Sequence, residues 1–280
     1  MANWPGWRRP TRRDVVKALL TGAVGLSGGA ASYGYLYERY RVGVTRQTVA
    51  VAGLPEALAG LRVGLLTDPH VSPSVPDIIV TTAVELLQAE KPDVILLGGD
   101  FISWQTADDA DRAAELMKPF AAPLGVFGVL GNHDEETQLP RALTERGITL
   151  LRDSTKVIEA RGVKVTLIGL RYWTRRAAAL AKLKDEVEGF PVLVAHDPRR
   201  LREATSVGLP LVISGHTHGG QVVLPGLGAI AAKRYPIDAG LLVDGSTTLF
   251  VSRGVGTVYL PWRVNCPPEV AVLTLQPAFV

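Results

Sequence analysis

Cysteine is almost missing from this chain of 280 residues. Its one cysteine, Cys266, has no second cysteine with which to form an internal disulfide. The same scarcity excludes a zinc site built from several thiolates. Any metal that the protein binds is therefore expected to be held by imidazole, carboxylate or amide groups.

Most of the chain also lacks a surplus of basic residues. The net charge is +3, but residues 1–46 hold eight basic and two acidic residues, whereas the remainder holds 22 basic and 25 acidic residues. Nucleic-acid-binding domains ordinarily present a strongly basic surface. We therefore expect no nucleic-acid partner. The hydrophobic fraction of 47% is enough for a large buried core.

The N-terminal segment lacks the run of about 20 strongly apolar residues that a membrane span requires. It has instead the pair Arg12–Arg13, then two apolar residues, a lysine and a Gly- and Ala-rich run over 18–31. This order resembles a twin-arginine export signal. We expect residues 1–44 to target the chain, through the twin-arginine translocase, to the periplasm or the outer face of the cytoplasmic membrane. The alternative is an ordinary amphipathic helix with a basic start, and cleavage or retention as an anchor stays open.

The rest of the chain, residues 45–280, alternates strand-like apolar runs with helical patterns. The predicted strands are 62–67, 93–98, 125–131, 163–170, 190–196, 210–214, 240–245, 247–252 and 269–275. The predicted helices are 76–90, 107–119, 138–147 and 174–186. Alternating helices and strands with a mostly strand-forming end predict one α/β domain with a layered sheet core.

Histidine is scarce too, and all five histidines follow directly after predicted strands. The loops concerned read DPH, GGD, GNHDE, AHDP and GHTHGG. Their chemically reactive residues are Asp68, His70, Asp100, Asn132, His133, Asp134, His196, His216 and His218. Polar groups at the carboxyl ends of strands in an α/β sheet commonly converge on a ligand. A single histidine is usually an ordinary core or surface residue, but coincidence explains this set poorly.

Imidazole and oxygen ligands without thiolate predict Mn, Fe, Zn or a similar divalent ion. There are too many of them for one structural zinc with four ligands, and enough for two ions that share a carboxylate. His216 and His218 are separated by one residue, so the two side chains can reach different ions. Asp197 directly precedes Pro198 and a helical pattern, and we expect it to cap that helix.

The ordered motifs D-x-H, G-D, G-N-H-D, H and G-H-x-H resemble those of the calcineurin-like metallophosphoesterases, over residues 60–222. The later segments VSRGVGT and CPPEVAVLTL are similar to the end of a bacterial branch of this family that often carries a twin-arginine signal. The resemblance implies a layered α-β-β-α sandwich. It also implies a phosphoesterase activity that depends on two divalent metal ions.

The resemblance further implies a role for each residue. The ligands of one metal would be Asp68, His70 and His218. The ligands of the other would be Asn132, His196 and His216, with Asp100 bridging the two. His133 would contact the scissile phosphate and Asp134 would orient its ring. We also expect Arg253 to line the phosphate site.

Charge favours a phosphate substrate. Two divalent ions, two carboxylates and a bridging hydroxide leave a net charge of about +1, which attracts an anionic phosphoryl group. Attack by that hydroxide requires no Ser or Cys nucleophile. The body of the chain, residues 45–280, has neither a G-x-S-x-G motif nor a P-loop. The alternative function is a metal-loaded binding protein without turnover.

The substrate remains open among a phosphomonoester, a phosphodiester and a nucleotide-linked or other phospholipid. Trp173 with Arg175 and Arg176, and Trp262 with Arg263, are the predicted contacts with a lipid headgroup or a membrane surface. An ordinary helix with a solvated basic edge is an equally good interpretation of the first group. The oligomeric state cannot be predicted from the sequence.

Overall fold

A computed structural model of the protein describes residues 12–104, 107–174 and 177–278. In these ranges the α-helices are α1 (Arg12–Leu36), α2 (Asp77–Ala89), α3 (Ala110–Met117), α4 (Gln138–Glu145), α5 (Ala177–Asp185) and α6 (Leu201–Ser206). The strands in the same ranges are β1 (Gly43–Val51), β2 (Arg62–Leu66), β3 (Val94–Leu97), β4 (Val126–Gly128), β5 (Thr149–Leu150), β6 (Ser154–Ala160), β7 (Val163–Leu170), β8 (Phe190–Ala195), β9 (Leu211–Ser214), β10 (Gly240–Asp244), β11 (Thr247–Val251) and β12 (Glu269–Pro277). Short 3-10 turns lie at Glu38–Tyr40, Glu56–Leu58, Ala107–Asp109, Pro198–Arg200, His218–Gly220 and Ile230–Ala232.

The strands of the described ranges form two six-stranded mixed sheets. The first has the order β1-β12-β2-β3-β4-β5, and only the pair β12 and β2 is antiparallel. The second has the order β10-β11-β9-β8-β7-β6, with antiparallel pairs at its two edges. The parallel strands at the centre of each sheet all end on one side, so the loops that follow them lie on a common edge.

Apolar residues on both faces of the central strands determine how the layers pack. In β3, Val94 and Leu96 belong to the core between the two sheets, whereas Ile95 and Leu97 pack with residues of α2, α3 and α4. Alternate residues of a strand point to opposite faces, so each of these strands serves two cores. A third core lies between the second sheet and helices α5 and α6. The predicted α-β-β-α sandwich is confirmed.

Three strands carry no clear apolar run and were not among the predicted strands. β1 and β6 lie at sheet edges, and much of each strand is half-buried or exposed. β5 contains only two residues. At most one face of an edge strand has to be buried. Such a strand can therefore have a polar sequence and still pair with its neighbour through backbone hydrogen bonds.

The N-terminal part of the described chain is the long helix α1. Among the described residues, no helix is both long enough and apolar enough to cross a membrane. The predicted boundary between residues 44 and 45 falls inside β1, which pairs along its whole length with β12. The export signal remains a prediction.

Candidate metal centre

The predicted site residues come together at the edge where strands of both sheets end. Those from the first sheet follow β2, β3 and β4, and those from the second sheet follow β8 and β9. They form two groups of potential metal ligands, and within each group the ligand atoms lie within 4.8 Å of one another. The first group is Asp68, His70 and His218, and the second is Asp100, His196 and His216.

An unusual backbone conformation turns these side chains inward. Of the residues in the two groups, all but His196 have positive φ angles, between 47° and 73°. A left-handed backbone costs a non-glycine residue about 1–3 kcal/mol, and such residues are concentrated at functional sites. The neighbouring glycines leave the necessary space. A Cβ at Gly215 would lie 2.4 Å from Asp68 Oδ2, and one at Gly131 would lie 2.0 Å from Asp100 Oδ1.

The first group is held by contacts among its own members and by one outside hydroxyl. His70 Nε2 lies 3.1 Å from His218 Nε2, which lies 3.6 Å from Asp68 Oδ1. The other ring nitrogen of His70, Nδ1, is 3.2 Å from Ser103 Oγ. A partner on the second nitrogen fixes the ring orientation of a histidine ligand.

The second group has a similar construction. His196 Nε2 lies 3.1 Å from Asp100 Oδ2 and 3.0 Å from His216 Nδ1. His196 Nδ1 donates to the carbonyl oxygen of Gly98 at 2.8 Å. His216 Nε2 is 2.8 Å from the hydroxyl of Tyr235. Both histidines therefore direct one nitrogen into the group and use the other to anchor the ring.

Asp100 lies between the two groups. The same oxygen that faces His196, Oδ2, is 3.4 Å from His70 Nε2 of the first group. Its other oxygen, Oδ1, accepts a hydrogen bond from the backbone N–H of His133 at 2.8 Å. Asn132 lines the same cavity as Asp100 and His133.

The donor atoms fit divalent cations. Because His196 Nδ1 donates its hydrogen to Gly98, a neutral His196 ring would present its lone pair at Nε2, only 3.1 Å from a carboxylate oxygen of Asp100. Two lone pairs at this distance repel each other unless a positive charge lies between them. Carboxylate and imidazole together suit Mn, Fe or Zn.

The pKa values agree with this need for positive charge. Burial lowers the pKa of His70 to about 4 and that of His216 to about 3, and burial also lowers the pKa of His218 well below its ordinary value. Burial would lower the pKa of His196 as well, but the adjacent Asp100 carboxylate outweighs it and raises the pKa to about 10. The imidazoles of His70, His216 and His218 are therefore neutral at pH 7. A positive charge is stabilised most strongly next to the carboxylate of Asp100, at His196.

His133 lies beside the two groups and faces the cavity. Its ring is 5.0 Å, centroid to centroid, from that of His70. Trp104 at 5.5 Å and Tyr259 at 6.0 Å also pack edgewise against it. Burial lowers the pKa of His133 below its usual value. The ring therefore stays neutral at pH 7 and has one N–H to donate.

Asp134 holds the backbone around His133. Its carboxylate accepts hydrogen bonds from the N–H of Gly131 at 2.8 Å and from that of Ile102 at 3.1 Å. Among the described residues, no hydrogen bond joins Asp134 to the His133 ring. Instead of orienting that ring directly, as we had expected, the carboxylate fixes the turn that carries it.

Two arginines have structural partners. Arg253 pairs with Glu269, at 2.8 Å from Nε and 2.5 Å from Nη2, and is not among the residues that line the cavity. The predicted phosphate contact of Arg253 therefore has no support in this placement. Arg263 is fully buried and donates to backbone carbonyls, including that of Gly256 at 2.7 Å. It cannot face a lipid, so that prediction is wrong.

The other sequence predictions have mixed outcomes. Asp197 accepts a hydrogen bond from Arg199 N and caps the 3-10 turn, as predicted. Trp173 is exposed, while Arg175 and Arg176 lie outside the described residues. The anchoring partners Ser103 and Tyr235 were missed, because neither belongs to a motif.

A cavity of about 590 Å³ opens from the metal groups. Asp100, Asn132, His133, His216 and His218 form its polar end. The opposite wall is largely apolar and comes from two loops, with Val222, Leu224, Ile230, Ala231, Val258, Tyr259 and Leu260. The cavity therefore places a hydrophobic surface directly beside a site suited to cations.

Comparison with known proteins gives matches along most of the chain. A family model described as calcineurin-like phosphoesterase matches residues 61–220. The chain is 29% identical to the uncharacterized metallophosphoesterase YkuE of Bacillus subtilis, over 96% of this chain and 97% of the relative. It is 32% identical to the phosphodiesterase YaeI of Escherichia coli, over 78% and 83% of the two chains. An uncharacterized metallophosphoesterase of Aquifex aeolicus is 29% identical over 88% and 95%.

The geometry of Asp100 leads to a prediction about metal content. Asp100→Asn removes the negative charge that faces both groups, so the purified protein should lose bound metal, as measured by inductively coupled plasma mass spectrometry. Asp197→Asn is the matched control, because this carboxylate also follows a strand but pairs with Arg199. Two tightly held ions in Asp100→Asn would contradict the assignment.

Proposed function

The chain belongs to the calcineurin-like phosphoesterase family and is a metal-dependent phosphoric ester hydrolase, and from this premise we propose a dinuclear phosphodiesterase that acts outside the cytoplasm. We propose that one ion is held by Asp68, His70 and His218. The second would be held by Asn132, His196 and His216, with Asp100 shared.

The position of Asp100 Oδ2 is the observation that carries the dinuclear proposal. It lies within 3.4 Å of an imidazole nitrogen from each group, so one oxygen can serve both. Two divalent ions bound there would lower the pKa of a water molecule and neutralise charge on the phosphoryl oxygens. No side-chain nucleophile is then needed.

His133 is the proposed catalytic side chain. Its neutral ring faces the cavity beside the metal groups, where its N–H can donate to a phosphoryl oxygen or to the leaving oxygen. Trp104 and Tyr259 limit the rotation of the ring by packing against it. Asp134 keeps the supporting turn in place through Gly131.

The cavity favours a substrate with an apolar group. Ile230, Tyr259 and Leu260 are exposed over 49% of their surface or more, although they are large and apolar. Covering them with hydrocarbon would remove apolar surface from water. Arg234 lines the same cavity and supplies a positive charge. These features support a phosphodiester with a lipid-like substituent, and the name of the E. coli relative, a phosphodiesterase, supports a diester.

Export by the twin-arginine translocase is the proposed route to the outer face of the membrane. Arg12 and Arg13 begin α1 and are exposed. This route carries folded proteins, which suits a chain that binds its metals before it leaves the cytoplasm.

His133→Ala should retain its metal but lose turnover. Removing a positioned hydrogen-bond donor to charge that develops in the transition state typically lowers kcat by about 10²–10³-fold, measurable with bis(p-nitrophenyl) phosphate on samples whose metal content is determined in parallel. Added imidazole should restore part of the rate. A kcat within twofold of the unmodified enzyme would exclude this role for His133.

A long alkyl substituent should improve binding. Each CH₂ group buried contributes about 0.8 kcal/mol, so octyl p-nitrophenyl phosphate should have a KM at least about tenfold below that of the methyl ester. Leu260→Asn should remove most of this difference. The control is Val243→Asn, at an exposed position on β10. Equal KM values for the two esters in the unmodified enzyme would argue against a lipid-like substrate.

Replacing the pair Arg12–Arg13 should block export. The double variant Arg12→Lys and Arg13→Lys should accumulate in the cytoplasm of a bacterium that has the twin-arginine translocase, as seen by cell fractionation and immunoblotting. The matched control changes the preceding pair, Arg8→Lys and Arg9→Lys, and should be exported normally. Unchanged export of the first variant would contradict the proposed signal.

A further inference from the structure

The C-terminal end of α1 packs closely against a loop of the active-site cavity. We call residues 34–41 the clamp segment and residues 256–266 the cavity loop. A Cβ at Gly34 would lie 2.6 Å from the carbonyl oxygen of Arg263 and 2.8 Å from Cγ2 of Val264. Only glycine permits this approach without a shift of the neighbouring atoms.

A buried carboxylate adds a polar connection between the two segments. Glu38 is only 3% exposed, and its oxygens accept the backbone N–H of Asn265 at 3.0 Å and that of Cys266 at 2.6 Å. A buried carboxylate is stable only when it is hydrogen-bonded. The side chain of Arg39 is also buried, with Nη1 3.4 Å from the carbonyl oxygen of Pro261.

The cavity loop transmits these contacts to the site. Val258, Tyr259 and Leu260 form part of the apolar wall, and the ring of Tyr259 packs against His133. On the cavity side, Gln221 binds both Val258 and Leu260 through its amide. The loop is therefore held from one side by Gln221 and from the other by the clamp segment.

Within the loop, Arg263 prevents the two ends from moving apart. Its guanidinium donates to the carbonyl oxygens of Gly256 at 2.7 Å and Cys266 at 3.2 Å, which are the two ends of the loop, and to that of Gly254 at 3.1 Å, just before the loop. Gly254 lies against Asp68, since a Cβ there would be 2.7 Å from Asp68 Cβ. A displacement at residue 265 or 266 would therefore reach the cavity wall.

We propose that Glu38 is a positioning residue, and that the clamp segment shapes the substrate cavity by fixing the cavity loop. The catalytic part of this inference rests on the proposed phosphodiesterase function. The proposed role of the clamp segment also limits where the proposed export signal can be cleaved off. Only cleavage before Gly34 leaves the whole clamp segment attached to the enzyme. Cleavage after Ala31, within the Gly- and Ala-rich run, meets this condition.

The first test is hydrogen–deuterium exchange of the full chain. In Glu38→Gln, the backbone amides of Asn265 and Cys266 lose a charged acceptor, and their exchange should become about tenfold faster. Glu56→Gln makes the same charge change at an exposed position and should leave these amides unchanged. Unaltered exchange in Glu38→Gln would overturn the clamp.

A second pair of variants tests the close contact between Gly34 and the cavity loop. This pair keeps the proposal testable if Glu38→Gln does not fold. Gly34→Ala should push the cavity loop away and speed its exchange. Gly29→Ala lies in the same helix, where a Cβ would meet nothing within 4 Å, and should have no effect. Both changes favour helix formation, so a difference between them reports the contact and not the stability of α1.

Steady-state kinetics distinguish a positioning role of the clamp segment in substrate binding from a contribution to the stability of the fold alone. In Glu38→Gln and Gly34→Ala, KM for octyl p-nitrophenyl phosphate should rise about three- to tenfold, with kcat and metal content changed less than twofold. Glu38→Asp, which keeps the carboxylate, should bind this ester more tightly than Glu38→Gln does. Faster exchange with an unchanged KM would overturn the positioning role. If the unmodified enzyme hydrolyses no phosphate ester, the proposed function fails, while exchange still decides whether the clamp holds the loop.

Discussion

Asp100 Oδ2 lies 3.1 Å from His196 Nε2 and 3.4 Å from His70 Nε2, and all three side chains are buried. Such a cluster of lone pairs is unstable without positive charge, in agreement with the direction in which the Asp100 carboxylate moves the pKa of His196, which is upward. Divalent ions satisfy the same requirement with more charge and defined directions. The left-handed backbone at most of the ligands stays in place because the sheets and the glycine-lined turns around it leave no alternative.

The geometry of the two groups of potential metal ligands depends on the apolar layer between the two sheets. Asp68 and Asp100 follow strands of the first sheet, whereas His196 and His216 follow strands of the second. Neither sheet alone carries a complete set of ligands for either group. The distances within each group therefore depend on the side chains that pack between the sheets, such as Leu65 and Val194. Rigid packing of this kind preserves ligand distances that loops alone could not maintain.

The sequence allowed the central strands and their ligand loops to be predicted because local patterns encode both. β3 and β9 are short apolar runs, and the polar motif follows each within a few residues. β1 could not be predicted, since an edge strand needs no apolar run and is formed by pairing with β12 over two hundred residues away. Tyr235 and Ser103 were missed for a related reason. Each anchors a histidine through a single side-chain contact that exists only in the folded chain. Arg263 was interpreted incorrectly because an arginine beside a tryptophan in sequence resembles a surface pair, whereas its partners are carbonyls of its own loop.

Helix α1 combines two parts with different surroundings. A Cβ at Gly28 or Gly29 would touch nothing, but one at Gly34 would overlap the cavity loop. A few residues further on, Glu38 is buried and bound to that loop. The contacts between α1 and the cavity loop therefore begin between residues 29 and 34, inside a continuous helix and before the composition change near residue 44. Composition reports where charge and hydropathy change, whereas packing against the cavity loop starts at Gly34, and in this protein those two positions differ.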